Sequence, residues 1–126
     1  MIRTPMETVL AQFAAYRVGD RRAARMLLSD DMTFNSPQDD HVGKSTFLDT
    51  CFPTAERFLR QEITTVLEIE PGTVMLRYIA QLPNEQPFSN VEIMKVVDGQ
   101  ITQIEVYFGG VEATGAAQSQ IWSGPH

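Results

Sequence analysis

In the stretch FNSPQDDHVGK, Phe34 to Lys44, Asp39, Asp40 and His41 stand in consecutive positions, and His41 is the only histidine away from the chain end. An imidazole titrates near neutral pH, and an adjacent carboxylate can orient it or raise its pKa, so the Asp40 and His41 pair could act as a general base. The same run, Ser36, Pro37, Gln38, Asp39 and Asp40, is also ordinary turn chemistry ahead of a helix, with Asp40 free to cap it. Both readings stay open at this level. Consecutive residues tend to point apart and the other histidine is His126, so no metal site and no cofactor are expected.

The chain of 126 residues has the size of one domain, and its 43% hydrophobic and 21% charged residues suit a globular core. A net charge of −6 opposes phosphate backbones and anionic lipid, so neither nucleic acid nor a membrane is an expected partner. No apolar run reaches the roughly 18 residues of a membrane helix, and MIRTPMETV lacks a signal-type apolar segment; a cytoplasmic location is the default expectation. Cys51 is the one cysteine, which excludes an internal disulfide. Next to Phe52 and Pro53 at a helix end, where the dipole disfavours a thiolate, it reads as a small buried hydrophobe.

The elements that must hold these residues follow from local signals. Thr4 caps a helix that Pro5 opens and Glu7 completes as a capping box, and Met6, Val9, Leu10, Phe13 and Tyr16 recur at the helical period until Gly19. Asp20 caps a second short helix with Ala24, Leu27 and Leu28 before a turn at Asp30 and Asp31. Met32 to Asn35 reads as a brief strand, Ser45 to Phe52 as a third helix stopped by Pro53, and Ala55 to Leu59 as a further turn. From Gln61 the period becomes 2, with Ile63, Thr65, Leu67 and Ile69 on the expected buried face. Pro71 and Gly72 turn the chain into Val74 to Leu82, PNEQ closes a loop, and Asp98 and Gly99 join Phe88 to Val97 with Ile101 to Phe108. Helices followed by an antiparallel meander make an α+β domain over residues 1–110, with residues 111–126 as a tail that Ile121 and Trp122 could anchor.

This order of elements, with GDRRAARMLLSDDMTFNSP early and VEIMKVVDGQITQIEVYFGG late, resembles the nuclear transport factor 2-like, or SnoaL-like, superfamily over about residues 5 to 110. The resemblance implies an α+β cone of the cystatin-like type, with N-terminal helices packed on a strongly curved sheet, an apolar pocket open at one end, and a homodimer. The superfamily includes ketosteroid isomerases, polyketide cyclases and epoxide hydrolases as well as non-catalytic adaptors, so fold does not choose the activity.

Carried over residue by residue, the isomerase pattern gives Ser36-Pro37 where the family has its basic Asp-Pro, and a hydroxyl cannot replace that base. The first-helix tyrosine falls on Gln12, with Tyr16 one turn later, and the second acid falls on Glu92. The epoxide hydrolase pattern falls on Met75, Arg77 and Val106, which does not support that chemistry. By the same resemblance Glu92, Asn90 and Met94 face the pocket. Alternation leaves either Leu76 and Tyr78 or Met75, Arg77 and Ile79 facing it from the neighbouring strand. Arg77 pointing inward would make Glu92 a structural ion pair rather than an acid or base.

The expected function is therefore proton transfer on a small apolar carbonyl compound. Asp40, His41 and Glu92 carry the chemistry in this reading, and Tyr16, Asn35, Arg77 and Asn90 contact the ligand. The competing expectation is a non-catalytic dimeric module that binds a ligand or a protein.

Overall fold

A computed structural model describes residues 3–52 and 57–111. The expected stop at Pro53, the start of the turn at 55–59 and the tail with Ile121 and Trp122 lie outside the described residues. Helix α1, Pro5–Val18, begins on the capping box: Glu7 N–H donates to Thr4 Oγ1 at 3.1 Å and Thr4 N–H donates to Glu7 Oε1 at 2.8 Å. It ends at Gly19, whose φ of 73° is the left-handed conformation that closes a helix cheaply. Asp20 then caps α2, Arg21–Leu27, by accepting from Ala23 N–H at 3.0 Å.

The chain passes without a loop from α2 into β1, Leu28–Ser36, a longer strand than the apolar pattern indicates. Asp30 and Asp31, expected as a turn, lie inside it and face solvent. An irregularity in the pairing between Leu28 and Thr33 absorbs them, and Lys44 Nζ bridges Leu28 O at 2.9 Å and Asp30 Oδ1 at 3.1 Å. Asp39–Val42 is likewise not the expected turn but a short edge strand, β2, hairpinned to β1 through Pro37 and Gln38. The third helix is a single α turn, α3 at Lys44–Thr46, widening into a π-helical segment at Phe47–Cys51. Phe47 and Leu48 enter the core there, and Thr50 Oγ1 donates back to Thr46 O at 2.7 Å.

Strands β3, Arg60–Glu70, β4, Thr73–Gln81, β5, Phe88–Val97, and β6, Gln100–Val111, form the expected meander. Asp98 and Gly99, at φ 51° and 79°, make a two-residue turn with both residues left-handed, the geometry whose twist matches flanking antiparallel strands. The sheet order is β2-β1-β6-β5-β4-β3, and only β1 and β6 run parallel. The helices cover its inner face, where Val9, Phe13, Leu28, Met32, Val74, Leu76, Met94 and Ile104 form the core. Full burial of each such side chain contributes about 1.5–3 kcal/mol. The fold is thus α+β, as expected.

Irregularities in the strands decide which side chains face inward. A register shift between Ile63 and Thr65 turns Val66 towards Leu76 of the inner face and leaves Leu67 52% exposed, so the period-2 expectation for β3 fails beyond Ile63. A second shift between Ser89 and Asn90 sits beside Gly109. A Cβ added at Gly109 would lie 2.5 Å from Ser89 Oγ and 2.8 Å from Ser89 O, so the strands approach there only because that residue has no side chain. No helix among the described residues is long and apolar enough to cross a membrane.

Candidate functional site

A cavity of about 690 Å³ opens between α1, the π-helical segment, the β1–β2 turn and the inner face of β4, β5 and β6. Apolar groups make most of its wall. Phe13 packs on Tyr78 with ring centroids 5.1 Å apart, Phe34 on Phe47 at 4.8 Å, and Phe88 stands between Phe58 at 6.2 Å and Phe108 at 6.0 Å. Such a wall removes apolar ligand surface from water and leaves orientation to a few polar groups.

Those polar groups come chiefly from one alternation. Along β5, Phe88, Asn90, Glu92 and Met94 all line the cavity, as period 2 on a pocket-facing strand requires. In β4, Val74, Leu76, Tyr78 and Ala80 are buried whereas Met75, Arg77 and Ile79 are less so, which places Tyr78 inside and Arg77 outside. Tyr78 lies opposite Asn90 and Leu76 opposite Glu92 across the β4–β5 pair. The phenol therefore reaches diagonally: Tyr78 OH donates to Glu92 Oε2 at 2.9 Å, and Asn90 Nδ2 donates to Tyr78 OH at 3.3 Å.

This chain of hydrogen bonds sits where water is scarce. Burial disfavours the charged form of Glu92 and pushes its pKa up to about 7, against the lowering effect of the Tyr78 hydrogen bond. Glu92 retains some accessible surface where it borders the cavity. Burial first, and the Glu92 charge second, raise the Tyr78 phenol above its ordinary value, so it remains a proton donor at neutral pH. Asn90 Oδ1 is shielded from solvent and has no hydrogen-bond partner among the described residues.

The other walls add Gln12, 3% exposed, and Tyr16 from α1, both on the cavity. From the β1–β2 turn come Ser36, Pro37, Gln38 and Asp39, with Ser36 Oγ donating to Asp39 Oδ2 at 2.8 Å and Gln38 N–H donating to Ser36 Oγ at 3.1 Å. Thr50 and Cys51 line the remaining side. Burial raises the Cys51 thiol above its usual value; the Thr50 hydrogen bond opposes this and the nearby Asp39 charge adds to it. A neutral thiol is the result, half-buried on the cavity wall rather than inside the core.

Of the residues singled out from the sequence, Tyr16, Asn90 and Glu92 meet in this cavity. Asp40 and His41 do not: their side chains are 92% and 72% exposed, they contact each other, and neither lines the cavity. The reason is β2. Asn35 Oδ1 accepts from His41 N–H at 2.6 Å, locking the hairpin so that Asp39 turns inward and its two successors stay outside. Asn35 thereby serves the backbone and not the cavity. Arg77 lies on the opposite face of the sheet, where Nη1 donates to Thr64 Oγ1 at 2.8 Å, so no Arg77 ion pair with Glu92 forms. Tyr78 is the chief addition. Its inward orientation was one of two phases left open by the alternation, and only pairing with β5 selects it.

No family model matches the chain, and no curated protein matches it. Solved structures do. A nuclear transport factor 2-like protein of unknown function from Burkholderia xenovorans superposes with a TM-score of 0.74 at 20% identity, covering 97% of this chain and 94% of its own. One from Cytophaga hutchinsonii gives 0.71 at 23% identity over 86% and 91%. A LEH-like epoxide hydrolase from M. tuberculosis gives 0.69 at 17% identity over 82% and 81%. The protein thus has the nuclear transport factor 2-like cone that the sequence resemblance implies.

Proposed function

We propose that the protein is an enzyme of proton-transfer type, isomerase-like or cyclase-like, acting on a small apolar carbonyl compound, with Glu92 as the group that takes and returns the proton. The observation that carries this reading is the Glu92 carboxyl group held inside an apolar cavity by Tyr78, with its pKa pushed up to about 7. A carboxyl so placed is present in both protonation states near neutral pH, which is what acid–base catalysis uses.

In the forward step Glu92 carboxylate removes a proton from the carbon next to the substrate carbonyl, and the C–H electron pair moves into the carbonyl to form an enolate. Glu92, now a carboxylic acid, returns that proton to another carbon of the conjugated system. Nothing is consumed, and the product is an isomer. Gln12 and Tyr16 on the facing helix offer N–H and O–H donors to the enolate oxygen. Tyr78 holds Glu92 Oε2, which leaves Oε1 for the substrate. The base assignment moves from Asp40 and His41 to Glu92 because the exposed pair stands outside the cavity.

The test is proton exchange into a panel of enolisable ketones in heavy water, followed by NMR. Glu92→Gln should lose exchange, whereas Asp40→Asn and His41→Ala should retain it. Exchange undiminished in Glu92→Gln would sink the assignment.

The non-catalytic, dimeric reading draws on the outer sheet face, where Leu67 and Tyr107 are 52% and 51% exposed. Half-buried Met75, Val91 and Ile93 lie between them on the paired strands. An apolar sheet face of this kind suits a second copy of the chain. A monomeric mass by light scattering at micromolar concentration would count against it.

A further inference from the structure

Asp39 is a carboxylate on the cavity wall that the proton transfer does not use. The hydrogen bond that holds it has a fixed direction: Gln38 N–H donates to Ser36 Oγ at 3.1 Å, so the single hydroxyl proton goes to Asp39 Oδ2, at 2.8 Å. Asp39 Oδ1 takes no hydrogen bond from the described residues. Among them Asn90 Oδ1 is the unpaired side-chain oxygen that is shut off from the surface, so Asp39 Oδ1 is both unpaired and open. The Asp39 charge is felt on the cavity wall, where it helps to raise the Cys51 thiol.

Charge and rings together decide what such an oxygen takes. Besides Asp39 and Glu92, the charged side chain on the cavity is Arg57, which is exposed and forms no ion pair with Asp39 among the described residues. Phe34 lines the wall two residues before Ser36 and packs on Phe47, whose π-helical segment also carries Cys51. Aromatic faces and a carboxylate both attract a cation. A hydroxyl would meet the hydrogen bond at Oδ1 but not the charge, whereas an ammonium group meets both. We infer that Asp39 is a specificity-determining residue and that the substrate is an apolar carbonyl compound bearing a protonated amine, seated at Asp39 while its reacting carbon lies at Glu92. This deepens the proton-transfer reading and rests on it for the carbonyl group, although the ammonium site can be measured alone.

The probes are 2-naphthylmethylamine, 2-naphthylmethanol and 2-naphthylacetate, matched in ring system and cationic, neutral and anionic in turn, titrated by calorimetry at pH 6. The amine is protonated there, and Glu92, with its pKa pushed up to about 7, is mostly uncharged, so charge preference reports on Asp39. The alcohol is less polar than the ammonium, so the hydrophobic wall by itself favours it. Wild type should nevertheless bind the amine about tenfold more tightly than the alcohol, the difference between a charge-assisted and a neutral hydrogen bond. Asp39→Asn, which keeps an acceptor for Ser36, should bring that ratio to unity or below. Glu92→Gln and the exposed Asp40→Asn should preserve it. Should Asp39→Asn fail to fold by circular dichroism, Asp39→Ser serves in its place with the same expected loss of preference. A preference that survives removal of Asp39 overturns the inference. So does its loss in Glu92→Gln, which would make Glu92 the anchor, and so does tighter binding of the acetate, which would make Arg57 the anchor. Equal binding of amine and alcohol in wild type, or no binding of either, overturns it as well. Heavy-water exchange reads Glu92 separately, so exchange undiminished in Glu92→Gln would sink the base assignment while leaving the ammonium site standing.

Discussion

The middle of β5 and the β1–β2 hairpin both carry carboxylates, Glu92 and Asp40, and they differ in what surrounds them. At the hairpin, Asp40 and His41 have the residue types of a catalytic pair, but 92% and 72% side-chain exposure leaves them in high dielectric and screened by salt. On β5, Glu92 has no histidine beside it, yet burial alone moves it towards neutrality and Tyr78 fixes its rotamer. Environment, more than residue type, makes a carboxyl useful as a base at neutral pH.

That contrast can be broken most sharply by substitution on each side. Glu92→Gln should lower proton exchange by about 10²–10⁴-fold, the range for removal of a general acid–base. Asp40→Asn and His41→Ala should change it by less than about twofold, since surface changes away from a site act weakly. Equal losses on both sides would abolish the distinction.

The pH dependence sharpens it further. Glu92 must be ionised to act as a base, so exchange should rise with pH through about 7 and then level off. Stability runs the other way. The folded pKa of about 7 lies above the ordinary 4.5, so the folded state binds the extra proton between these values. The contribution is fully present below about 4.5 and is lost as pH rises through about 7. Glu92→Gln should therefore be more stable than wild type at pH 8, by up to about 3 kcal/mol, with the difference closing towards pH 4. Urea unfolding across that range measures it.

Tyr78→Phe gives a smaller effect. Removing a hydrogen bond that favours the carboxylate should raise the Glu92 pKa and shift the midpoint of the exchange profile upward, with activity falling at pH 7 more than at pH 9. A parallel loss at both values would mean that Tyr78 contributes only packing. The least effect belongs to the hairpin: Asp40→Asn should leave the thermal midpoint and the exchange profile unmoved, since its carboxylate faces water.

Much of the scaffold was legible because its signals are local. The capping box at Thr4 and Glu7, the Asp20 cap and the Asp98–Gly99 turn each depend on residues a few positions apart, and each forms as expected. Alternation put Asn90, Glu92 and Met94 on one face of β5, and the family resemblance, not the alternation, made that face the pocket side, where all three lie. The β1–β2 hairpin was not. Asp30, Asp31 and the Asp39–Val42 run are polar and read as turns, yet pairing of β1 with β6 on one side and β2 on the other draws them into strands.

What the sequence determined by itself, then, was the order of elements, the α+β class and a carboxyl group at position 92 on the strand face it shares with Asn90 and Met94. What only the tertiary structure decided was the company Glu92 keeps. Whether Tyr78 or Arg77 faces inward turns on the register of β4 with β5, and whether Asp40 reaches the cavity or solvent turns on the pairing of β2 with β1 and its shift between Phe34 and Ser36. A shift of one residue in pairing exchanges the two faces of a strand, and that choice is made by packing between segments distant in the chain.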